Sequence, residues 1–205
     1  MSTAQTDAKP IGPASAGILM TPEEFDAITD YDDRCRYELV HGVLVVTPIP
    51  REAEAGPNDE LGMMLRQYRR EHPQGSALDD TLPERYIQTL DCRRRADRVI
   101  WAGLGRRPNP KKDVPTIVVE FVSRGKRDWE RDYVEKRHEY LAVGVVESWI
   151  IDRFRRQMTV VRNQPEGPLE LTIAEPDTYR TELLPGFELP LSRLLTVADD
   201  WPDSG

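Results

Sequence analysis

The run Val114-Pro-Thr-Ile-Val-Val-Glu-Phe-Val-Ser123 constrains this chain more than any other stretch. A short β-branched run opened by a proline reads as a strand buried on both faces. Yet Glu120 stands in its middle. Side chains alternate along a strand, so Glu120 shares a face with Val118 and Val122. An unpaired buried carboxylate costs several kcal/mol or neutralises itself. A cation should therefore sit beside it: a metal ion, a lysine or an arginine. A structural arginine partner, or a place at the strand's exposed end, would meet the same need without any chemistry.

At 205 residues the chain fits one domain with a proper core. Residues 1–18 are Ala-, Ser-, Thr-, Gly- and Pro-rich and read as a disordered tail; residues 19–205 read as a single domain. No apolar run is long enough for a membrane span, and the N-terminus lacks a secretory signal's hydrophobic region, so a cytoplasmic protein is expected. Cys35 and Cys92 fit no metal spacing and no disulfide framework. His41, His72 and His138 are scattered, which argues against a zinc site or a catalytic histidine pair.

The net charge of −8 argues against a nucleic-acid partner until its distribution is considered. Residues 91–137 hold 14 Lys/Arg and 8 Asp/Glu, a net of +6, which leaves −14 on the rest. The basic stretch includes Arg93-Arg94-Arg95, Arg98, Arg106-Arg107, Lys111-Lys112 and Arg124-Gly-Lys126-Arg127. Such polarity can present a phosphate-facing surface while the remainder keeps the chain soluble, although charge runs are also ordinary solvated surface. The groups at 93–95 and 124–127 flank the expected site strands and are expected to face the site.

Thr21-Pro-Glu-Glu reads as a helix start, with threonine as N-cap and proline at the first helical position. Residues 36–46 read as a hairpin turning at His41-Gly42. Leu61, Met64, Leu65 and Tyr68 predict an amphipathic helix over 58–71. Strands are expected at 84–89 and 98–101, then the Glu120 strand, a helix over about 128–143 and a strand at 147–152. Strand, helix, strand with this connector is a right-handed βαβ unit with parallel strands. The segments 158–162, 169–174 and 179–183 read as a closing meander.

Three carboxylates occupy comparable places: Glu38 on the first hairpin strand, Asp97 just ahead of Arg98-Val-Ile-Trp101, and Glu120. Acids on adjacent strands can converge on one hard cation such as Mg²⁺. On the following helix, Trp129, Tyr133, Lys136 and Tyr140 recur at steps of four, three and four and share one face. Lys136 thus stands on an inward aromatic stripe. It could snorkel out to water, but a crossover helix packs on the strands it joins, so it can also reach Glu120.

The blocks Arg36-Tyr-Glu-Leu-Val-His-Gly, Arg95-Ala-Asp97, Ile-Val-Val-Glu120-Phe-Val-Ser123, Glu135-Lys136-Arg-His-Glu-Tyr140, Glu147-Ser-Trp-Ile-Ile-Asp152 and Leu184-Pro-Gly-Phe187 resemble the Uma2 (DUF820) family, assigned to the PD-(D/E)xK nuclease superfamily. The resemblance implies a mixed α/β fold: a restriction-endonuclease-like core with a mixed central sheet flanked by helices, an N-terminal hairpin and a C-terminal meander. It also implies metal ligation by Asp97 and Glu120, with Glu38 completing the site for Mg²⁺ or Mn²⁺. The superfamily lysine, expected where Val122 stands, is matched by Lys136 from the helix. Two departures are Ala96 for the proline before the Asp, and Asn58 where the family tends to have a histidine.

The implied function is hydrolysis of nucleic-acid phosphodiesters, DNA foremost. A homodimer fits a small nuclease acting on two strands. The alternatives are a non-catalytic binding or assembly module that retains the fold, and a metal-dependent hydrolase of small phosphorylated molecules.

Overall fold

A computed structural model describes residues 11–123 and 129–201; of 129–133 it describes the backbone alone. The start of the expected tail, the group at 124–127 and the side chains of Trp129 and Tyr133 lie outside the described residues. Where a single domain is expected, the chain forms two compact units: Met1–Ile49 with Gln88–Arg94, and Pro50–Ile87 with Arg95–Gly205.

The first unit contains α1 (Pro22–Asp26) and the hairpin β1 (Cys35–Val40) and β2 (Val43–Pro48). Thr21 and Glu24 cap α1 reciprocally, as the sequence predicts. His41 and Gly42 both have positive φ, 47° and 79°, the backbone that a two-residue hairpin turn matched to strand twist requires. Tyr37, Leu39 and Leu44 pack with Phe25 into a small core. The expected tail through residue 18 is tied down from residue 11 onward: Gly17 N donates to Leu44 O, and Leu44 N to Ile18 O, each at 2.8 Å. Ile11 joins the apolar cluster, which gives that stretch a reason to dock.

The second unit is built on strands β3 (Leu78–Gln88, its last residue in the first unit), β4 (Arg93–Ala102, its first two there), β5 (Ile117–Phe121), β6 (Glu147–Asp152), β7 (Gln157–Arg162) and β8 (Leu169–Ala174). They run in the order β4-β5-β6-β7-β8, with β3 also pairing β4. β5 and β6 are parallel, joined by α3 (Trp129–Ala142), whereas β4-β5, β6-β7 and β7-β8 are antiparallel. The expected βαβ unit is present, and the mixed α/β architecture is as the sequence implies.

Every residue of β5 is buried. On one side, Ile117, Val119 and Phe121 pack with Leu61, Leu65 and Tyr68 of α2 (Glu52–Glu71) and with Leu191, Leu194 and Leu195 of α4 (Leu191–Asp199). On the other, Val118 packs with Tyr140 of α3. Helix α2 starts six residues before the expected position and runs through Pro57. Proline there removes one intrahelical hydrogen bond, but its ring is buried and Glu52 and Glu54 complement the helix N-terminus. The two-residue strands β9 (Thr178–Tyr179) and β10 (Leu189–Pro190) replace the last arm of the expected meander, and α4 follows them.

Helix α2 approaches β4 closely at Gly62. A Cβ there would lie 2.6 Å from one guanidinium nitrogen of Arg98 and 2.8 Å from the other. Arg98 cannot easily retreat. Its Nε donates to Asn58 Oδ1 at 2.7 Å and one terminal nitrogen to Asn58 O at 2.8 Å. Gly62→Ala should therefore destabilise the fold by about 1–3 kcal/mol, as overpacked cores do. Urea unfolding measures it, and an unchanged midpoint would mean that Arg98 can move aside.

Candidate active site

The pairing of Arg98 with Val119 across β4 and β5, stepped one residue along, sets Asp97 opposite Glu120. Directly opposed residues of antiparallel strands share a face, their Cβ atoms about 4.5–5.5 Å apart. Both side chains are buried, Asp97 at 8% exposure and Glu120 at 4%. Asp97 lies inside β4, not ahead of it, because the strand begins at Arg93. Its Oδ2 accepts a hydrogen bond from the Phe121 backbone N–H at 2.7 Å. The carboxylate thus reaches across the strand pair to the peptide next to Glu120.

Helix α3 supplies two groups from consecutive turns of one face. Tyr140 OH donates to Glu120 Oε1 at 2.6 Å, and Lys136 Nζ lies 3.7 Å from the same oxygen. Lys136 is itself buried, so its ammonium does not snorkel to water. The cation that Glu120 requires is thus a lysine from the crossover helix. Two acids and a lysine converge where β5 ends, at the carboxyl end of a parallel strand, where open α/β sheets commonly place their sites.

Sequence reasoning gave Tyr140 no role, although its spacing from Lys136 was legible. It overlooked Arg98 as well, because a lone arginine in a basic stretch reads as surface. Arg98 is 1% exposed, and burial pushes its pKa down to about 10, still charged at neutral pH. Asn58 is a tie between elements: besides holding Arg98, its Nδ2 donates to Asp97 O at 2.9 Å. Glu38 lies in the first unit, half-buried on β1 opposite Val45 of β2.

Of the arginines expected to face phosphate, those at 93–95 are engaged within the protein. Arg93 is buried and clamps Asp26, with a 2.8 Å contact, Arg94 is 1% exposed, and Arg95 meets Glu84 at 2.8 Å. Arg106 pairs with Asp113 at 2.7 Å, which holds the Asp113 carboxyl down at about 2. Local charge density in the sequence cannot distinguish an inward arginine from an outward one.

A family model described as "Uma2: Putative restriction endonuclease" matches residues 22–193. The chain belongs to the Uma2 family. A solved structure, a "putative nuclease belonging to DUF820" from Anabaena variabilis, has a similar fold with a TM-score of 0.68. It is 15% identical, and the match covers 87% of this chain and 99% of that one. No curated protein matches the sequence. Among the described residues, no helix is long and apolar enough to cross a membrane. The blocks that carried the resemblance thus belong to a Uma2 fold in which Lys136 meets Glu120 and Asp97 stands across from Glu120 on the neighbouring strand.

The hydrogen bond from Tyr140 to a buried carboxylate should be one of the stronger ones in this Uma2 chain. Tyr140→Phe should lower stability by about 1.5–3 kcal/mol, the range for hydrogen bonds to charged groups. Denaturant melts without divalent cations measure it. A loss near zero would mean that Glu120 draws its support from elsewhere.

Proposed function

We propose that this Uma2 protein is a divalent-cation-dependent nuclease that hydrolyses phosphodiesters of DNA, with Asp97 and Glu120 as ligands for Mg²⁺ or Mn²⁺. The observation that carries the reading is the convergence of these two buried acids with Lys136 at the end of a parallel strand. The donor set fits: hard cations take carboxylate oxygens and retain waters. A cation there would polarise the scissile phosphate and lower the pKa of the attacking water. Lys136 would orient that water or offset charge developing on the phosphate. Tyr140 would hold the Glu120 carboxylate in one orientation. Glu38 as a third ligand rests on the family's Tyr-Glu-Leu block. The cytoplasm and a homodimer acting on two strands belong to the same reading.

One observation favours the second reading, a binding or assembly module that keeps the fold. The arginines at 93, 95 and 106 have internal acidic partners, which weakens the case for a phosphate-binding surface.

Cleavage assays on plasmid, single-stranded DNA and RNA with Mg²⁺ or Mn²⁺ separate the two. The wild type should nick plasmid. Asp97→Asn and Glu120→Gln keep acceptors for Phe121 N–H and Tyr140 OH, yet should lose a hundredfold or more in rate. Lys136→Met should lose comparably, and Glu38→Gln tests its assignment. The melting temperature of the wild type should rise with either cation, and that of Asp97→Asn should not. A wild type that cleaves nothing and melts identically with and without cation establishes the module.

A further inference from the structure

We propose that the first unit contains a second metal site, for a zinc-class divalent cation, formed by His41, Asp91 and Cys92. His41 occupies the tight turn between β1 and β2, and Asp91-Cys92 the turn between β3 and β4. His41 Nδ1 lies 2.6 Å from Asp91 Oδ2 and 3.7 Å from Cys92 Sγ, and Sγ lies 3.6 Å from Asp91 Oδ1. A nitrogen, a sulfur and an oxygen donor thus surround one point. Their spacing is near what zinc requires. With Zn–N about 2.0 Å and Zn–S about 2.3 Å in a tetrahedron, nitrogen and sulfur stand about 3.6 Å apart. Asp91 reaches the nitrogen with Oδ2 and the sulfur with Oδ1, so its carboxylate must turn to present one oxygen, and the nitrogen–oxygen edge must open by about 0.8 Å on the same geometry. Both side chains have room to move, being 60% and 56% exposed.

The geometry also separates a metal site from a thiol nucleophile. A Cys-His-Asp relay needs the two ring nitrogens on different partners, base to thiol and the other to carboxylate. Here Nδ1 faces both the thiol and the Asp91 carboxylate, an arrangement that suits convergence on one ion. The donor types choose the metal class, because thiolate and imidazole select zinc-like ions over Mg²⁺.

On binding, the ion would displace the proton through which Cys92 Sγ donates to Asp91 Oδ1. The His41 backbone N–H donates to Cys92 Sγ at 3.3 Å, and Cys92 is in no disulfide. Arg93 braces the turn by donating to the carbonyls of Thr89 and Cys92 while clamped to Asp26. Metal sites need such outer partners. His41 also holds a positive φ that asparagine or glycine would adopt more easily. The sequence motif rules missed the cluster because its members lie 50 residues apart and converge only through the fold.

Cobalt titration of the untagged, reduced, chelator-treated full chain tests this. One equivalent of Co²⁺ should give thiolate-to-cobalt absorption in the near ultraviolet together with visible d–d bands, and Zn²⁺ should displace it. Cys92→Ser should abolish the charge-transfer band. His41→Asn, which keeps a residue suited to the turn, should weaken Zn²⁺ binding tenfold or more. Asp97→Asn and Cys35→Ser should bind like the wild type, so loss of cleavage and loss of zinc binding are independent results. Absence of the charge-transfer band at saturating cobalt, or its survival in Cys92→Ser, overturns the site.

Discussion

The second unit is organised around one buried charge, Glu120 of β5. At 3.7 Å its attraction to Lys136 is about 4 kcal/mol at an effective dielectric of 20. Burying the two ions costs several kcal/mol each, so the pair alone roughly breaks even at best. The hydrogen bond from Tyr140, about 1.5–3 kcal/mol for a charged acceptor, tips the sum. Because Lys136 and Tyr140 sit one turn apart on α3, the same helix that makes the crossover also neutralises the strand it covers. Fold and site therefore depend on the same two side chains.

The opposite face of the sheet uses the same device with the signs reversed. Arg98 points to α2, where Asn58 presents both its side-chain and backbone oxygens and Gly62 leaves space for the guanidinium. Among the described residues no carboxylate forms an ion pair with Arg98, so neutral oxygens carry the burden. Asn58 then passes a hydrogen bond to the Asp97 carbonyl. Consecutive residues of β4 thus serve opposite faces: Arg98 locks the helix behind, and Asp97 meets Glu120 in front. A histidine at position 58 would keep the backbone acceptor but would have to replace both the side-chain acceptor that Arg98 uses and the donor to Asp97 O, which gives this chain's asparagine a structural reason of its own.

Much of this was legible in the residues. The run around Glu120 announced a doubly buried strand and a missing cation, and the spacing of Lys136 placed that lysine on the correct face. The hairpin turn was readable because His41-Gly42 separates two alternating runs. The rest failed for identifiable causes. The helix expected from residue 58 starts at Glu52, because burial of the Pro57 ring keeps α2 continuous through it. Helix α4 follows a proline and spans only nine residues, although Leu191, Leu194, Leu195 and Ala198 carry the helical period. The arginines misled because charge composition ignores direction: β4 turns Arg94 and Arg98 into the protein interior.

On the nuclease reading, the charges at the site also explain why substrate and cation would be taken up together. Leaving aside Glu38, whose place rests on the family block alone, Asp97 and Glu120 with Lys136 would carry formal charges of −1, −1 and +1, a sum of −1. Adding a divalent cation makes the sum +1, an unbalanced charge in a largely buried place. A phosphodiester brings −1 and restores neutrality. Lys136, which already satisfies Glu120, would weaken cation binding while no substrate is bound. A phosphate oxygen would give the ammonium a second anion to serve and would relieve its competition with the cation for Glu120. A lysine on the crossover helix, rather than on the strand itself, suits this exchange, because four rotatable carbons can swing between carboxylate and phosphate while Tyr140 keeps Glu120 in place.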